Sequence, residues 1–462
     1  MKAVLLAPKE ERSKAFLAVA DALTERGFSV ERRSKAGARE PDVVICWGRL
    51  AAPSRAAVVI NPVKAVRTAR SREEASLLLH LHGIPVDPDH LPRDAVRPAV
   101  PQVKAAYSPV RVHVADLRIL AVEDEQGAMS AISRFKRQRI AEGACRAIYV
   151  LGLHFGALDL FVHPSGRWFV SSVDPRPFVD EELARAYGAA IAAMAESWGA
   201  GPERPGEAVL GADPEFALVA QGGKLLYASR YVNHEGLVGY DRQSRANRGA
   251  VFPLAEIRPN PSPSPHTLAE NVEAALARAA ELLPTRGVAW LGGSFPYGAY
   301  PTGGHIHFSG VPLTTPFLQA LDNYLGIPVM LLEQRQRAKK RRRQYGRAGD
   351  FRRKEHGGFE YRVLPSWIVS PEAAEATLCL AKAVAAEWPR LSRNYLSSPR
   401  AIKEFYLSRK ARFRELCPRL LRSVLATETG RKYQRELAYF NRMIAGRVEW
   451  QDDKDIKAAW RL

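Results

Sequence analysis

The sequence is short of cysteine, short of methionine and without any long apolar run. Its four cysteines, Cys46, Cys145, Cys379 and Cys417, are scattered and form no Cys-x-x-Cys pair. That spacing argues against a disulfide framework and against a structural zinc site, and it fits a reducing compartment. No stretch approaches the ~20 apolar residues that cross a bilayer, so no membrane partner is expected. The opening Met1-Lys-Ala-Val-Leu-Leu-Ala7 is too short for the apolar core of a signal peptide and reads as a first strand. The expected compartment is the cytoplasm.

Positive charge, by contrast, is plentiful. Lys and Arg number 68 against 49 Asp and Glu, a formal net charge of +19. Such a balance favours phosphate, nucleic acid or anionic surfaces as partners, and says nothing about fold. With 462 residues, 46% of them hydrophobic, the chain has ample core for several domains.

Residues 2–7 read as a strand, 11–26 as a helix closed by Gly27, and Ser29–Arg32, Asp42–Trp47 and Ala57–Asn61 as further strands. A helix at Glu73–His82 completes an alternating, parallel α/β pattern. Residues 87–104 form a linker. From residue 110 the pattern turns antiparallel: Val112–Glu123 as one strand, a turn at Glu125-Gln-Gly127, and a return strand over Ala128–Phe135. Phe155–Val162 and Trp168–Pro177 are another strand pair, and Ala184–Glu196 a helix. Gly199–Gly206 is rich in Gly and Pro and marks a domain boundary. Beyond it, Thr267-Leu-Ala-Glu270 matches a capping box that would open a helix. Helices follow around Phe317–Leu332 and Pro371–Ala385, and residues 400–462 are helical in pattern. The expected domains are 1–100, 101–200, 207–398 and a basic helical extension, 399–462.

Four pairs of residues repeat one spacing: Asp213 and Glu215, Glu256 and Arg258, His305 and His307, Glu360 and Arg362. Strand side chains alternate faces with period two, so each pair points one way. A sheet carrying all four pairs on one side would gather carboxylates, imidazoles and guanidiniums. That combination suits a metal and a phosphate, not a core. Glu215, Glu256 and Glu360, with Asp213, would supply the oxygen ligands that hard divalent cations take. A histidine among them is tolerated. Arg258 and Arg362 stand beside these acids, and arginine's planar fork grips phosphate and carboxylate. Arg341–Arg343, Arg347 and Arg352–Lys354 add further cations, which a loop between the histidine strand and Glu360 would bring over the phosphates. Taken singly, each pair has a plainer explanation, such as a strand-end turn or a surface ion pair worth under ~1 kcal/mol. Their recurrence favours a shared site.

These motifs resemble the amidoligases, carboxylate–amine ligases of the phage type that share the glutamine synthetase and glutamate–cysteine ligase fold. Asp213-Pro-Glu-Phe216 is similar to that fold's acidic metal-binding strand, Gly304-His-Ile-His-Phe-Ser309 to its histidine strand, and Glu360-Tyr-Arg-Val-Leu-Pro365 to its final acid–arginine strand. Tyr345–Arg352 falls where those enzymes carry arginines for phosphate. The first 200 residues resemble an ATP-grasp protein at Asn61-Pro62, Gly83–Val86, Phe155–Asp159 and Val173–Pro177. Ser172 stands where that family carries a Glu, and only a short linker occupies the place of its lysine strand and glycine-rich loop. The region is therefore read as degenerate, with Asp159 and Asp174 as strand-end residues. The implied fold class is α+β: a glutamine synthetase-like antiparallel sheet with helices, preceded by an α/β ATP-grasp-like domain.

The resemblance implies ATP-dependent amide formation through an acyl phosphate, with ATP and Mg2+ or Mn2+. Glu215, Glu256, His305 and Glu360 would hold metal. Arg352 and Arg362 would stabilise the moving phosphoryl group, Arg258 would orient the carboxylate, and Asp213 would bind a second metal or poise the amine. His307, Arg347 and Arg353 would contact nucleotide. The expected partners are a small-molecule or peptide carboxylate and an amine. A homo-oligomer is admitted, since such sheets are often completed by a neighbouring subunit. The alternatives are a non-catalytic nucleotide- or nucleic-acid-binding protein, which the charge allows but the motifs do not favour, and a metal-dependent hydrolase on the same scaffold.

Overall fold

The computed structural model describes residues 2–8, 11–34, 42–47, 58–91, 106–199, 207–242 and 251–462. Most of the two expected linkers, 92–104 and 200–206, lies outside these residues. The chain divides into two compact units, Met1–Glu203 and Arg204–Leu462.

In the first unit, β1 (Lys2–Leu6), β2 (Ser29–Arg33), β3 (Val43–Cys46) and β4 (Val58–Ile60) form a parallel sheet in the order β2-β1-β3-β4. Helix α1 (Lys14–Glu25) buries Phe16, Val19, Ala20 and Leu23, the spacing of one helical face. Helices α2 (Val63–Arg70) and α3 (Arg72–Leu81) follow.

The antiparallel half departs from the sequence expectation. The single strand expected over Val112–Glu123 is a hairpin, β5 (Ser108–Ala115) and β6 (Arg118–Glu123). Its turn, Asp116-Leu117, takes φ of 44° and 62°, the left-handed region. Two-residue hairpin turns need that geometry, and Leu there carries none of the Asn-Gly signal that advertises it. The return strand expected over Ala128–Phe135 does not form. Asp124 instead accepts from the backbone N–H of Ala128 and Met129, holding a turn. Ser133 then caps α4 (Arg134–Val150). Strands β7 (Phe155–Val162) and β8 (Trp168–Asp174) complete the order β6-β5-β7-β8, and α5 (Glu181–Gly199) packs on α1.

The second unit is built on an eight-stranded sheet. Strands β9 (Val209–Ala220), β10 (Leu225–Leu226), β11 (Val238–Tyr240) and β12 (Leu254–Ile257) precede α6 (Pro265–Leu282). That helix is capped by Ser264, whose side chain accepts from the N–H of Thr267, with Pro265 at its first position. The expected box at Thr267 lies inside the helix, because proline's fixed φ starts it earlier. Then come β13 (Val288–Leu291) and β14 (Gly304–Ser309). The apolar run folds as α7 (Thr315–Ala320), a π-helical turn over Leu321–Gly326, and α8 (Ile327–Leu332), all deeply buried.

The basic run is not the expected loop. It is helix α9 (Arg335–Gln344) leading into β15 (Phe351–Arg353) and β16 (Phe359–Tyr361). Helices α10 (Pro371–Glu387), α11 (Pro399–Tyr406), α12 (Ala411–Leu425), α13 (Glu428–Lys432), α14 (Gln434–Ala445) and α15 (Ile456–Trp460) finish the unit. The main sheet path is β11-β12-β9-β14-β16-β15, with β10 and β13 also paired to β9. Strand β9 is buried along most of its length, so it is the spine against which the other strands take their register. Among the described residues, no helix is long and apolar enough to cross a membrane.

Candidate active site

Register decides which side chains meet. Directly paired residues on neighbouring strands face the same side of a sheet. Glu256 pairs with Glu215, His305 with Asp213, His307 with Glu360, and Arg352 with Glu360. Six of the expected site residues thereby share one face with Arg352. Arg258 and Arg362 follow two residues beyond Glu256 and Glu360 and join them.

Gly304 makes the close approach possible. A Cβ there would run into the Pro365 carbonyl and the ring of Trp367, whose indole N–H donates to the Gly304 carbonyl at 2.9 Å.

At the centre is Asp213. His305 Nδ1 lies 2.9 Å from its Oδ1 and His307 Nε2 lies 3.0 Å from its Oδ2. His305 Nδ1 is also 3.3 Å from Glu360, and its Nε2 is 3.9 Å from Glu215. One ligand atom each from Asp213, His305 and Glu360 falls within a 4.8 Å cluster. Glu215 accepts from the Gly303 N–H at 2.8 Å. Asp213, Glu215, Glu256, His305, Glu360 and Arg362 are all buried.

The acids divide into two electrostatic groups. Burial, reinforced by the charges of Asp241 and Glu256, pushes Glu215 well above the usual carboxylate range. Burial and Asp213 do the same to Glu256, against the pull of Arg258, whose Nη2 lies 2.6 Å away. At Glu360 burial is outweighed by His305, Arg362 and Arg352, which hold its carboxyl at about 2. Burial likewise loses at Asp213, where His307 and His305 hold the carboxyl well below its usual range. One side of the face is therefore short of positive charge and the other is rich in it. Glu215 and Glu256 on the first side, with Glu360 and His305 at its border, are oxygen and nitrogen donors of the kind a hard divalent cation takes.

Three residues here carried no strand-spacing signal. Lys354 Nζ meets Glu360 at 2.7 Å. Tyr345 O–H lies 2.6 Å from His305 Nε2 and accepts from Arg362 Nη2 at 2.6 Å. Asp241 acts on Glu215 and Glu256 through its charge. Tyr345 is the one aromatic ring within the basic run 341–354 besides Phe351, which was its only sequence signal.

Other cations of the basic run go elsewhere. Arg353 lies one residue from Arg352 and so takes the opposite face, its guanidinium 5.9 Å from the Phe351 ring. Arg347 donates to the Arg342 and Arg343 carbonyls at the end of α9, a helix-closing role. Arg341 is fully buried and donates to the carbonyls of Thr302, Val363 and Leu364. Gly346, at φ 69°, makes room for that guanidinium. Arg342 pairs with Glu333 in the core.

In the first unit, Arg111 reaches Asp159 at 2.7 Å and Asp174 at 2.9 Å, and Ser172 donates to Asp159. These acids are neutralised by an internal guanidinium.

The two sides of the second unit's face give opposite expectations for stability. A carboxyl whose pKa is raised on folding costs stability at every pH above its unfolded value. Glu215→Gln is therefore expected to raise the melting temperature at neutral pH in chelator, and the gain should vanish in excess Mg2+. A lower melting temperature in chelator would contradict this charge assignment.

A family model described as phage phiEco32-like COOH–NH2 ligase, type 2, matches residues 210–462. No curated protein matches the chain. Among solved structures, a RimK domain protein ATP-grasp from Sphaerobacter thermophilus is 16% identical, covering 42% of this chain and 99% of its own at a TM-score of 0.31. The macrocyclase MdnC from Microcystis aeruginosa, bound with precursor peptide MdnA, is 12% identical over 40% and 98% at 0.28. A bifunctional glutathione synthetase from Pasteurella multocida is 11% identical over 55% and 52% at 0.36.

Proposed function

We propose the following reaction from the premise that this chain belongs to the phage phiEco32-like COOH–NH2 ligase type 2 family. The protein is an ATP-dependent carbon–nitrogen ligase. Its reaction joins a small-molecule or peptide carboxylate to an amine through an acyl phosphate. The observation that carries this reading is the sheet face itself, where buried acids short of positive charge lie beside a cationic corner.

Mg2+ or Mn2+, held by Glu215, Glu256, His305 and Glu360, would neutralise the triphosphate's charge. The side chains do the rest. Arg258, beside Glu256, orients the substrate carboxylate. A carboxylate oxygen attacks the γ-phosphorus, and the bond to the β-phosphate oxygen breaks to release ADP. Arg352 and Arg362 meet the charge that develops on the phosphoryl oxygens, with Lys354 beside them. The amine then attacks the acyl carbon and inorganic phosphate leaves. Asp213, held as a carboxylate between two imidazoles, binds a second metal or poises the incoming ammonium, whose proton passes to solvent. His307, partly exposed at the rim of the cluster, contacts nucleotide.

The experiment is to incubate the full chain with ATP, Mg2+ and mixed amino acids or peptides. Phosphate release coupled to a new amide is expected, and release without amide would favour a hydrolase. Asp174→Asn in the first unit is expected to retain that turnover, because its carboxylate is already spent on Arg111. Arg352 is about one-third exposed at the cationic corner. Arg352→Ala should lower turnover at least ~100-fold, the scale of one lost oxyanion donor, with a much smaller loss of ATP affinity. Full turnover with lost salt-sensitive binding to DNA or RNA would instead favour the nucleic-acid reading.

A further inference from the structure

Behind the sheet, three helices bring together donors that the ligase reaction does not use. His266 comes from the first turn of α6, Cys379 from the middle of α10 and Glu436 from the first turn of α14. One ligand atom of each lies within 4.8 Å of the others. We propose that this triad is a zinc site that ties α6, α10 and α14 together.

The donor types choose the metal. A thiol, an imidazole and a carboxylate form a mixed sulfur, nitrogen and oxygen set, which suits Zn2+ and does not suit Mg2+. The cation expected on the sheet face has only oxygen and nitrogen donors, so the two sites select differently. Cys379 is buried, while His266 and Glu436 are half-buried. Support around the triad is also present. Glu375, one helical turn before Cys379, lies on the same face of α10. Its Oε1 is 2.9 Å from His266 Nδ1. A carboxylate on a histidine nitrogen is the usual device that orients a metal-binding imidazole. The Tyr433 ring packs edge-on at 5.6 Å and limits the imidazole further.

The location gives the site a purpose. Helices α6 and α10 pack together, and α10 packs on α14. Leu268, Val272 and Leu276 of α6 are buried. A metal joining the three helix surfaces would brace that layer. Scattered cysteines had argued against structural zinc, but that inference covers only ligands close in sequence. Here they come from positions 266, 379 and 436.

Co2+ is the probe, because a sulfur ligand gives it a thiolate charge-transfer absorption. Titration of the full chain, without ATP, should give this band saturating at one equivalent, and Zn2+ should remove it. The sheet face has no sulfur and cannot produce it. Cys379→Ser should abolish the band. Glu375→Gln should weaken Co2+ binding by about 10- to 100-fold. His266→Asn alters a half-exposed position without opening a core cavity, and should weaken binding at least tenfold even if the serine variant folds poorly. Absence of the band at stoichiometric Co2+, its survival in Cys379→Ser, or unchanged affinity in His266→Asn would each overturn the proposal.

Discussion

Glu360→Gln is expected to cut ligase turnover by ~100- to 1000-fold or more, the range for removing one preorganised charge contact at a transition state. The residue sits 3.1 Å from Arg362 Nε, 2.7 Å from Lys354 Nζ and 3.3 Å from His305 Nδ1. Glutamine keeps the shape and loses the charge, so the cations would stay close but repel one another. The same change should lower stability at neutral pH. Glu360 is held at about 2 in the folded chain, below its unfolded value. Its contribution is therefore present above the unfolded pKa, ~4.3, and is lost as pH falls through that value toward about 2. The wild-type and variant melting temperatures should differ most at neutral pH and converge in acid. Equal melting temperatures at neutral pH, or undiminished turnover, would contradict the assignment. The sign is opposite to that expected for Glu215→Gln, so the pair together tests the division of charge across the face.

Arg342→Ala is expected to cost about 3–5 kcal/mol of stability, the range for breaking one side of a buried ion pair. Arg342 and Glu333 are both buried, and they are paired to each other. Arg342 also donates to Ser408 at 2.9 Å and lies 4.7 Å from the Phe405 ring. Its loss leaves the Glu333 carboxylate with the Ser294 hydroxyl at 2.6 Å and without its bonded guanidinium. Arg342→Met with Glu333→Gln removes both charges and should recover most of the loss, because the cost lies in the unpaired charge. Denaturant melts of the single and double variants decide it. A single variant within about 0.5 kcal/mol of wild type would mean that the pair is a surface-like contact.

The sheet face was legible in the sequence because a strand has a rigid period. Two charged groups two residues apart can only point one way, so Asp213 and Glu215 or His305 and His307 announce a shared face before any pairing is known. The register that aligns Glu256 with Glu215 was not announced, since it depends on backbone partners far apart in the chain. Helical and loop residues were harder still. Tyr345 and Lys354 reach the face from segments outside the repeated pairs. A run such as Arg341-Arg342-Arg343 looks uniform in sequence. Folded as a helix, it sends Arg341 and Arg342 into the interior and leaves Arg343 in solvent. Burial of those two was hidden because their partners are the Thr302, Val363 and Leu364 carbonyls, the Ser408 hydroxyl and a single carboxylate, Glu333. The Asp116-Leu117 turn was missed for a related reason: its second residue adopts a left-handed angle that leucine does not favour.

This sheet face is expected to pass a phosphoryl group from ATP to a carboxylate before an amine displaces it. The most direct measurement uses amino acids labelled with 18O in the carboxyl group, incubated with the full chain, ATP and Mg2+. One 18O atom should appear in the inorganic phosphate for each amide formed, and both products should form ~100- to 1000-fold or more slowly with Glu360→Gln. Phosphate carrying only solvent oxygen and released without amide would overturn the acyl-phosphate route and mark the face as that of a hydrolase.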